Sequence, residues 1–442
     1  MANTSGMPLE ERIVRLMRHL HIEDAHVAAC MPHDWEGLLT RHRERIRSLT
    51  LLCPMAINPT TLGSSPPPTL VVTGDRGRSA LDAQCDGAKI AAAKLHVLQD
   101  YFSPPWADPI ADRRDDIGAA LTNFISAVDT SAVTHRVNIK DTSGEIAELS
   151  FVVRGVGAPL LLMPLALAPS QWGPLVDELS RQFCTITLGG AHLGMVAHLE
   201  SRAQSGYMNI IDQLINELEL TAGRSLLEVG CGSGAILRHI AKRTHGQNRI
   251  VGIDMNRYLL REAAALARRE ELDGHLELGG GNAEELPFPD HSFDATIACT
   301  VMEEGAADRM LAEIVRVTKP GGRVGAVVRS TDLPRWVNLP LKAELKYKIE
   351  ASGLLGGNVG EGGCADARLY RLMSHAGLTN LQMMPQWVSY NGGERLQFLH
   401  DRIVSQLNAE EIAQWQAAVS QGNSEGTFFI SEPFHCAVGT KR

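Results

Sequence analysis

The stretch SLLEVGCGSGAILRHIAKR, residues 225–243, constrains the fold of this chain more than any other segment. An apolar run of Leu226, Leu227 and Val229 meets three glycines at alternate positions, 230, 232 and 234. Apolar residues then recur at 236, 237, 240 and 241. That pattern reads as a buried strand, a glycine turn and an amphipathic helix. Strand, glycine turn and helix make the first unit of a doubly wound parallel sheet, so the expected fold class is α/β. Glycines at the turn let backbone N–H groups approach a nucleotide ligand at the carboxyl end of the strand. A dinucleotide-dependent reductase would carry G-x-G-x-x-G, and the spacing here is tighter.

Twenty residues on, RIVGIDMN gives a second strand over 250–253 that ends in Asp254, whose carboxylate is suited to both ribose hydroxyls of a nucleoside. GNAEELPFPDHSFDATIACTVMEEG then supplies a loop with Asn282, a turn at 287–291 and a buried strand over 295–300. VTKPGGRVGAVV adds a Pro-Gly-Gly turn at 320–322 and the next strand. This ordered series resembles class I S-adenosylmethionine-dependent methyltransferases, and within them the small-molecule branch of ubiquinone and menaquinone C-methyltransferases. The motifs span about 207–328.

The resemblance implies a Rossmann-like doubly wound sheet within a methyltransferase domain at 201–442, with S-adenosyl-L-methionine as cofactor. It also implies the contacts. Glu228 and the backbone of Gly230, Cys231 and Gly232, with Gly234 closing the turn, would hold the methionine part, and Asp254 the ribose. Met255 would pack on the adenine, Asn282 and Ala283 would meet its amino edge, and Cys299 joins the same site. Relatives usually carry aspartate at 282; the Asn282 oxygen can still accept from the amine. Tyr207, on a helix with Ile210, Ile211, Leu214, Ile215 and Leu218 on one face, would touch the donor's carboxylate or serve only as core.

Methyl transfer from a sulfonium needs alignment and a dry pocket, and a base only if the acceptor must lose a proton. Where relatives often have Glu-His, this chain has Glu303-Glu304, which makes Glu304 the candidate acid/base or cation-binding residue. The alternative is a solvated helix start. Beyond the last strand, a Trp/Pro-rich loop, a helix and a glycine-rich loop at 353–363 are expected to cover the cofactor mouth. Trp336, Tyr347, Tyr370 and Trp387 would be pocket walls or core.

The first two hundred residues carry a different pattern. HVAACMPHDWEGLLTRHRERIRSLTLLCP at 26–54 reads as strand, sharp turn, helix and strand, PPPTLVVTGDRGRSA at 66–80 as another strand, and 95–125 as a strand, a loop and a final helix. This order resembles the second half of an α/β-hydrolase, whose elbow reads G-x-S-x-G. Here the elbow position falls at Ala29 or Cys30, the acid at Gly77 and the histidine near Ser103, so no triad survives. Residues 136–196 resemble the first half, with Pro164-Leu165-Ala166-Leu167 in place of the oxyanion loop and the buried run 159–169 read as a strand. The second half thus precedes the first, as in a circular permutation or as fragments that complete a sheet only in a dimer. The expectation is a catalytically degenerate α/β-hydrolase-like domain at 8–200, a scaffold for homodimer formation, for substrate capture or for covering the methyltransferase site.

Composition narrows function further. A net charge of −9 gives no drive toward nucleic acid, and the eight scattered cysteines form no metal-ligand spacing and suit reduced thiols in the cytoplasm. No basic region followed by an apolar run marks a secretory signal, and no apolar run is long enough for a bilayer. The expected function is methyl transfer to a small metabolite in specialised biosynthesis, with no metal. The alternatives are a cofactor-binding catalyst of the cyclase or isomerase type, or a binding partner built on two inactive folds.

Overall fold

The computed structural model describes the chain except for residues 1–6, 31–35, 55, 56, 63, 64, 103–106, 131–136, 138, 191, 192 and 352–358. It divides into two compact units, Met1–His198 and Leu199–Arg442. Among the described residues no helix is long and apolar enough to cross a membrane.

The first unit builds one sheet from β1 (Ala25–Ala29), β2 (Ile46–Leu52), β3 (Thr69–Arg76), β4 (Lys94–Phe102), β5 (Thr142–Ile146), β6 (Leu149–Arg154), β7 (Ala158–Leu162) and β8 (Phe183–Gly190). Their order is β4-β3-β2-β1-β7-β8-β6-β5. From β4 to β8 all neighbours are parallel, and β6 and β5 close the sheet as an antiparallel hairpin. Strands β1 and β7 are buried throughout because helices cover both faces, which is why they read as unbroken apolar runs. Ile13, Leu16 and Leu39 fill one core, and Ile117, Leu121 and Trp172 the other. The hairpin strand β6 alternates instead, burying Leu149, Phe151 and Val153 and exposing the residues between.

The apolar run 159–169 is not a single strand. β7 stops at Leu162, and 163–168 turn into a loop. Pro164 has no N–H to continue a ladder, and the amides of Ala166, Leu167 and Ala168 all donate to the side-chain oxygen of Gln171, at 3.0, 2.8 and 3.2 Å.

The second unit holds β9 (Ser225–Val229), β10 (Arg249–Asp254), β11 (Leu276–Gly280), β12 (Phe293–Cys299), β13 (Thr318–Arg329), β14 (Trp336–Val337), β15 (Thr379–Met383), β16 (Gln386–Tyr390) and β17 (Ile430–Thr440). The sheet runs β11-β10-β9-β12-β13-β17-β14, with β15 and β16 also paired to β17. Strands β9 to β13 are parallel, and β17 is antiparallel to β13. Because β9 lies between β10 and β12, strand order reverses beside it. Such a switch point leaves a crevice at the carboxyl ends of the strands, where ligands of open α/β sheets bind.

Lys319-Pro320-Gly321-Gly322 does not precede β13 as a separate turn. It bulges inside the strand: Phe293 pairs with Thr318 but Ala295 with Arg323. Gly321 has φ +75°, and a Cβ on Gly322 would lie 2.8 Å from the Asp294 carbonyl oxygen, so both positions require glycine.

Candidate active site

The glycine turn is held in a shape that other residues resist. Gly230, Gly232 and Gly234 have φ of +73°, +53° and +73°, and a Cβ on Gly230 would approach Val301 Cγ2 to 2.1 Å. The N–H groups of Gly230 and Cys231 donate to the Ile253 carbonyl at 2.8 and 2.9 Å, fixing the turn to the end of β10. There Asp254 accepts from Gly232 N at 2.9 Å through one carboxylate oxygen and from Asn256 N at 2.8 Å through the other. Burial raises its pKa, and the N–H groups of Asn256, Gly232 and Met255 oppose the rise. The next residue, Met255, is 82% exposed, a thioether standing in solvent beside that carboxylate.

Glu228 is buried at the end of β9, and among the described residues its Oε2 has no hydrogen-bond partner. Burial pushes its carboxyl well above the usual range, against the pull of Arg202 and Arg238. Arg202 lies 4.2 Å over the Tyr207 ring and donates to Thr300 Oγ1 at 3.1 Å. Tyr207 Oη is also buried without a partner. Burial also drives up the thiols of Cys231 and Cys299. Asn282 is exposed, and its Oδ1 already accepts from Glu284 N at 3.0 Å; Ala283 beside it is half-buried.

The sequence motifs did not mark Glu200 and Arg238. Ser233 Oγ donates to Glu200 at 2.6 Å, and Arg238 donates to Glu200, to Glu270 at 2.9 Å and to the Ser233 carbonyl at 2.7 Å. An arginine between Leu237 and the apolar pair Ile240 and Ala241 was the available signal: a cation on the buried face of a helix calls for partners.

At the tip of β12 the two glutamates part. Glu304 is exposed and lies 3.4 Å from Arg329. Glu303 is 0% exposed: one carboxylate oxygen accepts from Arg329 N at 2.7 Å, and the other has no partner among the described residues. Its carboxyl is raised by burial, opposed by that N–H. Of the expected lid, 352–358 lie outside the described residues, but Gly360 N donates to the Glu303 carbonyl and Cys364 N to that of Met302, at 2.7 and 2.8 Å. Trp336, Tyr347 and Trp387 are exposed rather than pocket walls. Tyr370 is half-buried and hydrogen-bonded to His435 at 3.0 Å.

Residues 226–322 match the family described as "Methyltransferase domain". They form a class I S-adenosylmethionine-dependent methyltransferase domain. The chain is 30% identical over 164 residues to the demethylmenaquinone methyltransferase of Lactobacillus johnsonii, covering 37% of this chain and 64% of that protein. It is 36% identical over 113 residues to a sterol 24-C-methyltransferase of Gibberella zeae, covering 25% and 29%. The methyltransferase GfsG of Streptomyces halstedii is 29% identical over 159 residues, covering 35% and 56%. The chain therefore spans less than two thirds of each of these relatives. The methyltransferase domain lies wholly within the second unit.

The first unit offers no comparable chemistry among its described residues. Cys30 is buried with its Sγ 3.5 Å from the Cys53 carbonyl oxygen, and burial, then Cys53, pushes its thiol up to about 12. The Asp75 carboxylate accepts the N–H groups of Asp100 and Tyr101, both at 2.9 Å. The oxyanion-loop amides are occupied by Gln171, and Ser103 and His192 lie outside the described residues. A Ser48–His26–Asp129 chain, with links of 2.7 and 3.1 Å, is a different matter. His26 and Ser48 are 1% exposed at the amino ends of their strands, where the set ties helix Pro109–Thr130 to the sheet. Treatment with a maleimide at neutral pH is expected to modify exposed Cys85 rapidly and Cys30 at least a hundredfold more slowly, because the thiolate is the reactive form. Peptide mass spectrometry reads both rates, and equal rates would reopen Cys30 as a nucleophile.

Proposed function

We propose that the second unit transfers a methyl group from S-adenosylmethionine to a small-molecule acceptor in biosynthesis. The observation that carries this reading is the mouth formed by three left-handed glycines, the fixed Asp254 carboxylate and the solvent-exposed Met255. The residues suit the cofactor: the glycines of the turn carry no Cβ to block a ligand's approach, and the buried oxygens of Glu228 and Tyr207, without a partner among the described residues, are ready for polar groups of a bound molecule. Asp254 would take the ribose hydroxyls, Met255 would cover the adenine and Asn282 with Ala283 would meet its edge. Glu228 and the turn at Gly230, Cys231, Gly232 and Gly234, with Tyr207 and Cys299 behind, would enclose the methionine end.

Bound S-adenosylmethionine supplies an electrophilic methyl on a sulfonium; the chain supplies alignment, dryness and the proton acceptor. We assign that last role to Glu303 rather than the exposed Glu304, because of these two Glu303 is the one with a buried oxygen that has no partner among the described residues. Its free oxygen would take the proton lost by the acceptor's nucleophilic atom. Glu303→Gln keeps an oxygen for Arg329 N and removes the base, so turnover should fall by about 10²–10⁴-fold with S-adenosylhomocysteine affinity retained. A raised carboxyl is a base only once deprotonated, so wild-type kcat/KM should climb as pH rises through its pKa, and the variant should lose that limb. A variant of unchanged turnover would remove Glu303 from the reaction. If the true acceptor is converted with no S-adenosylhomocysteine formed, the protein is a non-methylating catalyst instead.

We further infer that the first unit is a non-hydrolytic α/β-hydrolase-like scaffold with its halves exchanged. Supporting this, β1 of the leading half pairs in parallel with β7 of the trailing half, so one chain completes one sheet without a second copy. Association of two copies through this unit is the remaining part of the proposal, and light scattering of the purified chain measures it.

A further inference from the structure

A second polar cluster in the methyltransferase unit has more positive charge than its surroundings neutralise. Arg335 follows β13, its side chain is 6% exposed, and its guanidinium makes no side-chain hydrogen bond among the described residues. The nearest carboxylate is Glu432, 3.8 Å from Arg335 Nε and equally buried. Both Glu432 oxygens are already engaged by Arg395, at 2.7 and 3.0 Å. Arg335 and Arg395 thus face the one carboxylate of Glu432, and the half-buried Arg402 adds its positive charge to the surroundings of Arg335. A largely buried cation whose Nε lacks an acceptor is improved by a ligand that supplies one, and a guanidinium fork matches the two oxygens of a carboxylate or phosphate. Burial, with Arg395 and Arg402 adding to it, holds Arg335 below the usual arginine range despite Glu432.

The cluster lies at the edge of the sheet that holds the glycine turn. β17 runs antiparallel to β13, so its first residues, Glu432 among them, stand beside the carboxyl ends of the parallel strands. Phe434, two residues on, packs on Tyr207 with ring centroids 5.5 Å apart. Tyr390 feels both regions: its buried hydroxyl has no partner of normal hydrogen-bond geometry among the described residues, and it is acted on by Glu432 and Arg395 and by Arg202.

We propose that Arg335, with Arg395, binds an anionic group of the methyl acceptor, a carboxylate or a phosphate, and so anchors a negatively charged substrate beside the methyl donor. Glu432 holds the arginines in place while that group is absent. The inference rests on the methyltransferase reading, and its test separates the two. The full-length protein, with and without S-adenosylhomocysteine, is titrated calorimetrically with inorganic phosphate, diphosphate and butyrate. At least one is expected to bind, with phosphate and butyrate distinguishing the two kinds of anion. Arg335→Gln should weaken that binding by about tenfold, and Glu432→Gln, which removes the competing carboxylate, should strengthen it by about tenfold. A gain of affinity cannot come from misfolding, so the second variant keeps the test decisive if the first is unstable. If no anion binds at concentrations on the order of 10 mM, or if neither variant changes the affinity, the proposal is overturned. Failure to bind S-adenosylhomocysteine would instead overturn the methyltransferase reading.

Discussion

Asp254→Ala is expected to lower affinity for S-adenosylhomocysteine by roughly ten- to a hundredfold. Two losses add. In the proposed binding mode the ribose hydroxyls would lose a charged acceptor, a hydrogen-bonding contribution of about 1.5–3 kcal/mol. In addition, the N–H groups of Gly232 and Asn256, now held at 2.9 and 2.8 Å, lose the group that fixes the turn. Asp254→Asn separates the two effects, since one amide oxygen can replace only one of these acceptors and the amide nitrogen must face the other N–H. It should fall between wild type and alanine. Calorimetric titration measures all three proteins, and an alanine variant within twofold of wild type would mean that Asp254 does not hold the ribose.

Gln171→Leu should destabilise the first unit by about 3 kcal/mol. The side chain is buried, its oxygen accepts three consecutive N–H groups and its nitrogen donates to the Ala107 carbonyl at 3.0 Å. Leucine fills much of the same space but offers no acceptor. Each stranded amide carries a desolvation penalty of about 1–3 kcal/mol, and local rearrangement recovers part of the sum. Hydrogen exchange of Ala166, Leu167 and Ala168 should accelerate by two orders of magnitude or more, with the second unit unaffected. Unchanged protection would mean that the amides have other acceptors.

The second unit was legible because its chemistry is local in sequence. Gly230, Gly232, Gly234 and Asp254 come from one strand-turn-helix and the strand after it, so spacing alone orders them. The choice between Glu303 and Glu304 was not legible. Adjacent residues differ there only in which carboxylate turns under Arg329, a backbone partner 26 residues away. Glu432, Arg335 and Arg395 come from three separate segments, and no periodicity connects them. In the first unit the run 159–169 misled for a related reason: hydropathy cannot register that the side chain of Gln171 holds the backbone of 166–168 out of the strand.

The position of β17 bears on how the second unit assembles. Its residues Ile430–Thr440 pair with β13, which lies about a hundred residues earlier in the chain, and they also take β14, β15 and β16. Until β17 arrives, β13 keeps an open edge along Val324, Ala326, Val327 and Val328, all of which end in the core. Three partner strands also wait without a ladder. Closure therefore rests on long-range contacts, the kind that slow folding, and a chain without β17 in place would present an apolar edge to other chains.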